Sequence, residues 1–238
     1  MTRQAGSPIN AGGSPDSGYR VSIRTVLGDW PALLLWLLVF LAGAVAYPHL
    51  PEQVPSHWNV QGQIDAYSSR TWAVVFLPLI TAGLYLLMLV VPLIDPRRAN
   101  YTAFAGSYRT IRLSLVTLMA GIQAMVLLTA TGHPLRVDLF VPAGVSLMFM
   151  VLGNVMGQIR HNYFVGIRTP WTLASETVWR KTHRMGGYAF VAAGLAGLAG
   201  LFFPPLARMI IFISATTGAA ILSIVYSYRA YRQEEHNR

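Results

Sequence analysis

Six long apolar runs, joined by polar connections, dominate the chain. The first is Trp30 to Tyr47, with Asp29 in the N-cap position and Pro31 in the first turn. The second runs from Thr71 to Ile94 and is closed by Asp95-Pro96-Arg97-Arg98. The third covers about Ile111 to Thr131, the fourth about Val137 to Gly157. The fifth, Gly187 to Phe203, is closed by Pro204 and Pro205, and the sixth covers about Leu206 to Tyr228. Each approaches the ~20 residues with which a helix crosses a hydrocarbon layer of ~30 Å. The runs do not alternate apolar with polar, which argues against a barrel, and backbone in lipid must satisfy its own hydrogen bonds. The pattern predicts an all-α polytopic membrane protein with six transmembrane helices.

The polar segments divide the chain further. Residues 1–29 are rich in Gly, Ser and Pro and lack the apolar content of a core, so they read as a disordered tail whose last part, Tyr19 to Asp29, lies at the membrane surface. Residues 30–94 form a two-span module with a loop at 48–70. Residues 95–110 are a basic connector. Residues 111–238 form a four-span module with a second long loop at 158–186. Ala44-Val45-Ala46 has the look of a signal-peptidase site, but the long polar tail and the length of the apolar run argue against cleavage.

Composition agrees with the pattern. Only 11% of residues are charged, against ~25% for soluble domains, and the mean hydropathy is +0.46. Without cysteine, disulfides, thiolate zinc sites and cysteine nucleophiles are excluded. The net charge of +9 does not call for nucleic acid, since no binding motif accompanies it; basic connections are what anionic lipids and the positive-inside rule ask for. Arg3, Arg20 and Arg24 lie in the first tail, Arg97, Arg98, Arg109 and Arg112 between spans two and three. Arg160, Arg168, Arg180, Lys181 and Arg184 lie between spans four and five, and Arg229, Arg232 and Arg238 in the last tail. The other connections hold one each, Arg70, Arg136 and Arg208. This alternation places both termini in the cytoplasm.

The spans are nearly free of ionisable groups, with Gln123 and Asn154 as the main polar side chains at depth, which argues against an ion-coupled transporter. Ala193, Gly194 and Gly197 form a small-residue face for close packing of another helix, in this chain or in a second copy.

Two connections could carry chemistry. The outer loop YPHLPEQVPSHWNVQGQIDAYSSR has three prolines that favour extended backbone, followed by His57, Trp58, Asn59, Gly62 and Asp65. It reads as an interfacial cap held by Trp58 and Tyr67, or as a binding loop; His49, His57 and Asp65 match no regular metal spacing. The inner loop includes HNYFVGIRTPWTLASETVWRKTH. Its second half is helical in pattern, with Thr169 or Thr172 as cap, and would lie in the interface with Trp171 and Trp179 toward lipid or bundle. Thr172, Glu176, Trp179 and His183 fall on one stripe, and Glu176 precedes Arg180 by the four residues that favour an ion pair. The stripe reads as an amphipathic connector, as a binding surface, or as an acid/base site built from Glu176 and His183. No Gly-x-Ser-x-Gly or His-Glu-x-x-His motif is present.

The run from Asn162 through Gly166, Ile167, Arg168, Thr169, Pro170, Trp171, Thr172 and Trp179 to His183 and Gly187 resembles the signature of SdpI-type immunity proteins. Pro55, His57, Asn59, Gly62 and Asp65 resemble the uncharacterised N-terminal module that often accompanies it. The resemblance implies a multi-pass protein of the bacterial cytoplasmic (inner) membrane. It implies protection against a secreted toxin peptide and recruitment of a small transcriptional repressor. It would assign toxin contacts to His57, Trp58, Asn59, Gly62 and Asp65. Repressor contacts would fall to Asn162, Gly166, Arg168, Thr169, Pro170, Trp171, Thr172, Glu176, Trp179 and His183, with Arg168 fixing the loop by bidentate bonding or by stacking on Trp171. No cofactor, metal or catalysis is called for. A membrane enzyme acting on lipid or peptide, and a small-molecule exporter disfavoured by the bare spans, stand as rivals.

Overall fold

Pro31, Pro170 and Pro205 sit in the first turns of helices, where an amide hydrogen is not needed. The computed structural model describes residues 19–237. Its helices are α1 (Ile23–Gly28), α2 (Trp30–Ala46), α3 (Arg70–Ile94), α4 (Ala105–Ala130), α5 (Val137–Met156), α6 (Pro170–Ala174), α7 (Glu176–Gly200) and α8 (Pro205–His236). Between α2 and α3 the chain forms a two-stranded antiparallel hairpin, β1 (Gln53–Trp58) and β2 (Ile64–Ser69). The fold is therefore mostly helical, with a small sheet that the all-α expectation did not contain. Of the segment read as a disordered tail, residues 1–18 lie outside the described residues, and Ile23–Gly28 form a short helix.

Five described segments are long and apolar enough to cross a membrane: Trp30–His49, Arg70–Ile94, Arg98–Ala130, Val137–Met156 and Pro205–His236. Helix α7 is not one of them. Its first turns carry Glu176, Arg180, Lys181, His183 and Arg184, and its apolar half is rich in glycine. The expected fifth run is thus the second half of a helix that begins in the basic loop, and no separate interfacial helix spans 170–184. Helix α6 stops at Ser175, whose extended backbone and side-chain bond to the Val178 N–H start α7 afresh.

The small-residue face of α7 packs on α5. A Cβ on Gly153 would lie 2.6 Å from the Gly187 carbonyl, and one on Gly194 would lie 2.5 Å from the Ser146 carbonyl. Where hydrophobic association is weak, as between helices in lipid, such backbone contact is what allows van der Waals packing. The partner anticipated for this face is therefore α5 of the same chain.

Asp29 is the N-cap residue of α2, as its position before Trp30 predicts, but its carboxylate makes no capping bond. It is fully buried and accepts from Arg112 (NH2, 2.6 Å), from the Tyr85 hydroxyl (3.0 Å) and from Arg109 Nε (3.2 Å). Arg109 and Arg112 belong to the first turns of α4, not to a loop. One acidic residue thus ties the α1–α2 junction to α3 and α4. Gln123 ties α4 to α3 in another layer through the Ala73 carbonyl (3.1 Å).

These contacts give two expected outcomes. Asp29→Asn leaves Arg112 buried and uncompensated, a change of ~3–5 kcal/mol in comparable pairs; thermal melting in detergent should show a large fall. Gly194→Val should lower the melting temperature by an amount corresponding to at least ~1–3 kcal/mol of overpacking. Gly83→Ala, where an added Cβ meets nothing within 4 Å, should leave it unchanged or raised.

Candidate functional site

The end expected to lie outside is built around the hairpin. Val54 is fully buried and packs with Leu50, Ala73, Val74, Met125, Val126 and Leu127, which fixes the hairpin over the ends of α3 and α4. The turn is made by two of the residues singled out in sequence. Asn59 Oδ1 accepts from the amides of Gln61 and Gln63 (3.0 Å each), and Gly62 takes φ +78°, a conformation that disfavours any side chain. Gly62 also rests on Asp138, so a Cβ there would come within 3.1 Å of the Asp138 side chain. His57 Nδ1 and Asp65 Oδ1 pair at 2.6 Å on the exposed side of the hairpin. Among the described residues no three His, Cys, Asp or Glu side chains come together as a metal site.

Beneath the hairpin lies a cavity of ≈ 340 Å³. His57, Trp58 and Asn59 form one side, and Ile122, Met125, Val141, Val145, Met209 and Phe212 supply an apolar wall. Asp138 and Arg208 border it. Arg208 is buried, pairs with the Asp138 carboxylate, and donates to the carbonyls of Asp138 (2.9 Å) and Phe203 (3.0 Å), while its Nε has no partner among the described residues. Arg136 holds Asp138 from the exposed side (2.7 Å). Sequence reading missed Asp138 and Arg208. The one available signal was a single charged residue at the edge of each of two apolar runs, on the side otherwise poor in charge.

The end expected to lie inside is a polar network in a folded loop. Asn162 is fully buried. Its Oδ1 accepts from the amides of Phe164 (2.9 Å) and Val165 (2.7 Å), and its Nδ2 donates to the carbonyls of Arg160 (2.8 Å) and Val165 (3.0 Å). Asp95, at the end of α3, accepts from the Tyr163 amide and the Tyr101 hydroxyl, both at 3.0 Å. Asn100 donates to the His161 carbonyl (2.7 Å). The DPRR turn and the NYFVGIR loop are thereby joined. Thr169 caps α6 in a reciprocal arrangement with Thr172 and bonds Ser227 of α8 at 3.0 Å.

Trp179 and His183 are both fully buried, stacked at 4.0 Å between ring centres, and the His161 ring is tilted against Trp179 at 4.9 Å. The indole donates to the Ile159 carbonyl (2.8 Å). His183 Nδ1 donates to the Trp179 carbonyl and Nε2 accepts from the Ile167 amide, both at 2.9 Å. Gly166, at φ +110°, lies so close that a Cβ would collide with Nε2. Both imidazole nitrogens are thus committed to backbone in the neutral form, and burial pushes the pKa down to about 4. No Glu176–His183 contact is made among the described residues: Glu176 is exposed, whereas His183 is fully buried with both ring nitrogens bonded to backbone. No Glu176–Arg180 ion pair forms among the described residues. Arg168 is exposed and donates to the Tyr163 carbonyl (3.1 Å) instead of stacking on Trp171, whose ring meets Tyr228 at 5.1 Å. Pro170 is also exposed.

The inner residues singled out in sequence therefore divide. Asn162, Thr169, Thr172, Trp179 and His183 form the loop's interior, while Arg168, Pro170, Glu176 and part of Trp171 face outward. Since the folded loop holds His183 neutral, it binds fewer protons than the unfolded loop. Its contribution is full above ~6.5, the usual histidine value, and is lost as pH falls toward about 4. Hydrogen exchange, corrected for intrinsic rate, should show the Ile167 amide protected at pH 7 and progressively exposed over that window.

Residues 158–227 match the model of the SdpI/YfhL protein family, and residues 34–82 match DUF1648, a domain of unknown function. Immunity protein SdpI of Bacillus subtilis (strain 168) is 26% identical over 207 residues, which is 87% of this chain and 97% of the relative. No solved structure matches. The DUF1648 match takes in the hairpin and parts of α2 and α3, and the SdpI/YfhL match takes in the loop after α5 with α6, α7 and most of α8. The chain is a multi-pass membrane protein whose segment 158–227 is similar to the SdpI/YfhL family.

Proposed function

We propose that this chain is a bacterial inner-membrane immunity protein that protects its cell against a secreted toxin peptide. The observation that carries the reading is the similarity to an immunity protein along nearly the whole of that relative. The cavity beneath the hairpin is the proposed toxin-binding element. It offers apolar walls bordered by the Asp138–Arg208 pair, a combination suited to an apolar segment that carries a polar group. The exposed part of the inner loop, around Arg168, Pro170, Trp171 and Glu176, is the proposed docking face for a small cytosolic repressor. Binding at one end would act on the other only through different affinities for two packings of the bundle. The reading includes six spans, counting the apolar half of α7, and both termini in the cytoplasm, as the distribution of arginine supports.

The test is survival of cells exposed to the cognate killing peptide. His57→Ala and the cavity-filling Val145→Trp, each checked for normal amount in the membrane, should lower the tolerated dose by roughly tenfold or more. Unchanged protection by both variants removes the cavity from the mechanism. The absence of cysteine makes the topology directly measurable. A cysteine at Asp65 should react with an impermeant maleimide in intact cells, and one at Arg168 only after permeabilisation.

A further inference from the structure

Four basic side chains, Arg160, Arg180, Lys181 and Arg184, line one crevice of ≈ 680 Å³ at the inner end of α5 and α7. No acidic residue lines it, and none of the four makes an ion pair among the described residues. Such crowding of like charges without compensation is unfavourable unless an anion fills the space. The crevice does not end at the charges. Through Gly157, Arg184 and Tyr188 it shares its wall with a groove of ≈ 430 Å³ that runs down α5 and α7 between Gly153, Gly187, Val191, Ala192 and Leu195. The groove is apolar, and its floor is low because the backbones of the two helices touch. At the join stands Asn154, exposed and without a side-chain hydrogen bond among the described residues. Tyr188, 72% exposed, stands at the same level, as aromatic side chains do at membrane interfaces.

Charge, then an amide, then an apolar slot is the order of groups along a phospholipid: phosphate, glycerol ester, acyl chain. We propose that this crevice and groove form a specific site for an anionic phospholipid. Its phosphate would lie among Arg160, Arg180, Lys181 and Arg184, an ester carbonyl would accept from the Asn154 amide, and one acyl chain would lie against Ala192 and Leu195. Basic pockets between membrane helices are known to select anionic headgroups in this way. The site is separate from the outer cavity and does not depend on toxin binding.

Delipidated full-length protein in neutral detergent, mixed with equal amounts of cardiolipin and phosphatidylcholine and read by native mass spectrometry, tests it. Wild type should retain cardiolipin over phosphatidylcholine by roughly tenfold or more. The variant R160Q/R180Q/K181Q/R184Q should lose that preference. Ala192→Trp, which fills the groove and leaves every charge in place, should weaken cardiolipin retention with the melting temperature unchanged. Equal retention of the two lipids by wild type would overturn the proposal. So would a preference that survives the charge variant, or displacement of cardiolipin by millimolar inorganic phosphate, which would mark a free-anion site. Loss of lipid selectivity with protection against the toxin intact would leave the immunity reading standing, and the converse would leave the lipid site standing.

Discussion

The backbones of α5 and α7 touch, and much else follows from that contact. Gly153, Gly187 and Gly194 leave no side chain between the helices, so carbonyl groups of one face carbonyl and amide groups of the other. In lipid, where apolar surface gains little by meeting apolar surface, close approach is the available source of packing energy. It also sets the span that the 157–169 connection must cross, and it leaves the shallow groove beside it. A single Cβ at these positions would push the pair apart and open the loop above.

The two ends of the bundle solve the same physical problem by different means. Connections between membrane helices hold backbone groups that need partners. At one end a hairpin supplies them strand to strand, and the turn closes on Asn59 and Gly62. At the other end no regular element forms between α5 and α6. There Asn162, Asp95, Trp179 and His183 serve as side-chain substitutes for a strand partner, each bonded to backbone. This explains a block at once polar and aromatic in so apolar a chain. Much of it is interior, and what remains outward is basic.

Charge is handled with similar economy. Asp29 and Asp138 are buried, and each is shared by two arginines, at opposite ends of the molecule by the pattern of spans. The first arrangement is closed by the Tyr85 hydroxyl, except for one unpaired nitrogen of Arg112. The second likewise leaves one nitrogen of Arg208 unpaired, but it borders the cavity beneath the hairpin. That cavity, more than the exposed His57–Asp65 pair, distinguishes the hairpin end as a place where a ligand could be held.

Hydropathy period and proline placement were enough to read the long helices, the polar ends and the alternation of basic connections, because these depend on local composition and on the thickness of a bilayer. The block from Asn162 to His183 was legible as special for the same reason, by residue type. What those residues do was not legible. Whether Asn162 and His183 bind a partner or bond their own backbone depends on which carbonyls and amides the fold brings within 3 Å, and a stripe at helical spacing is the same in both cases. The stripe joined Glu176 to His183 by spacing alone, and spacing does not tell an exposed carboxylate from a buried ring bonded to backbone; the break at Ser175 removes Thr172 from it. Asp138 and Arg208, 70 residues apart, meet only when α5 and α8 are side by side. Period and composition act over a few turns of chain; long-range pairing is decided by packing, and so the helices belong to the sequence while the cavity, the neutral histidine and the uncompensated basic crevice belong to the tertiary structure.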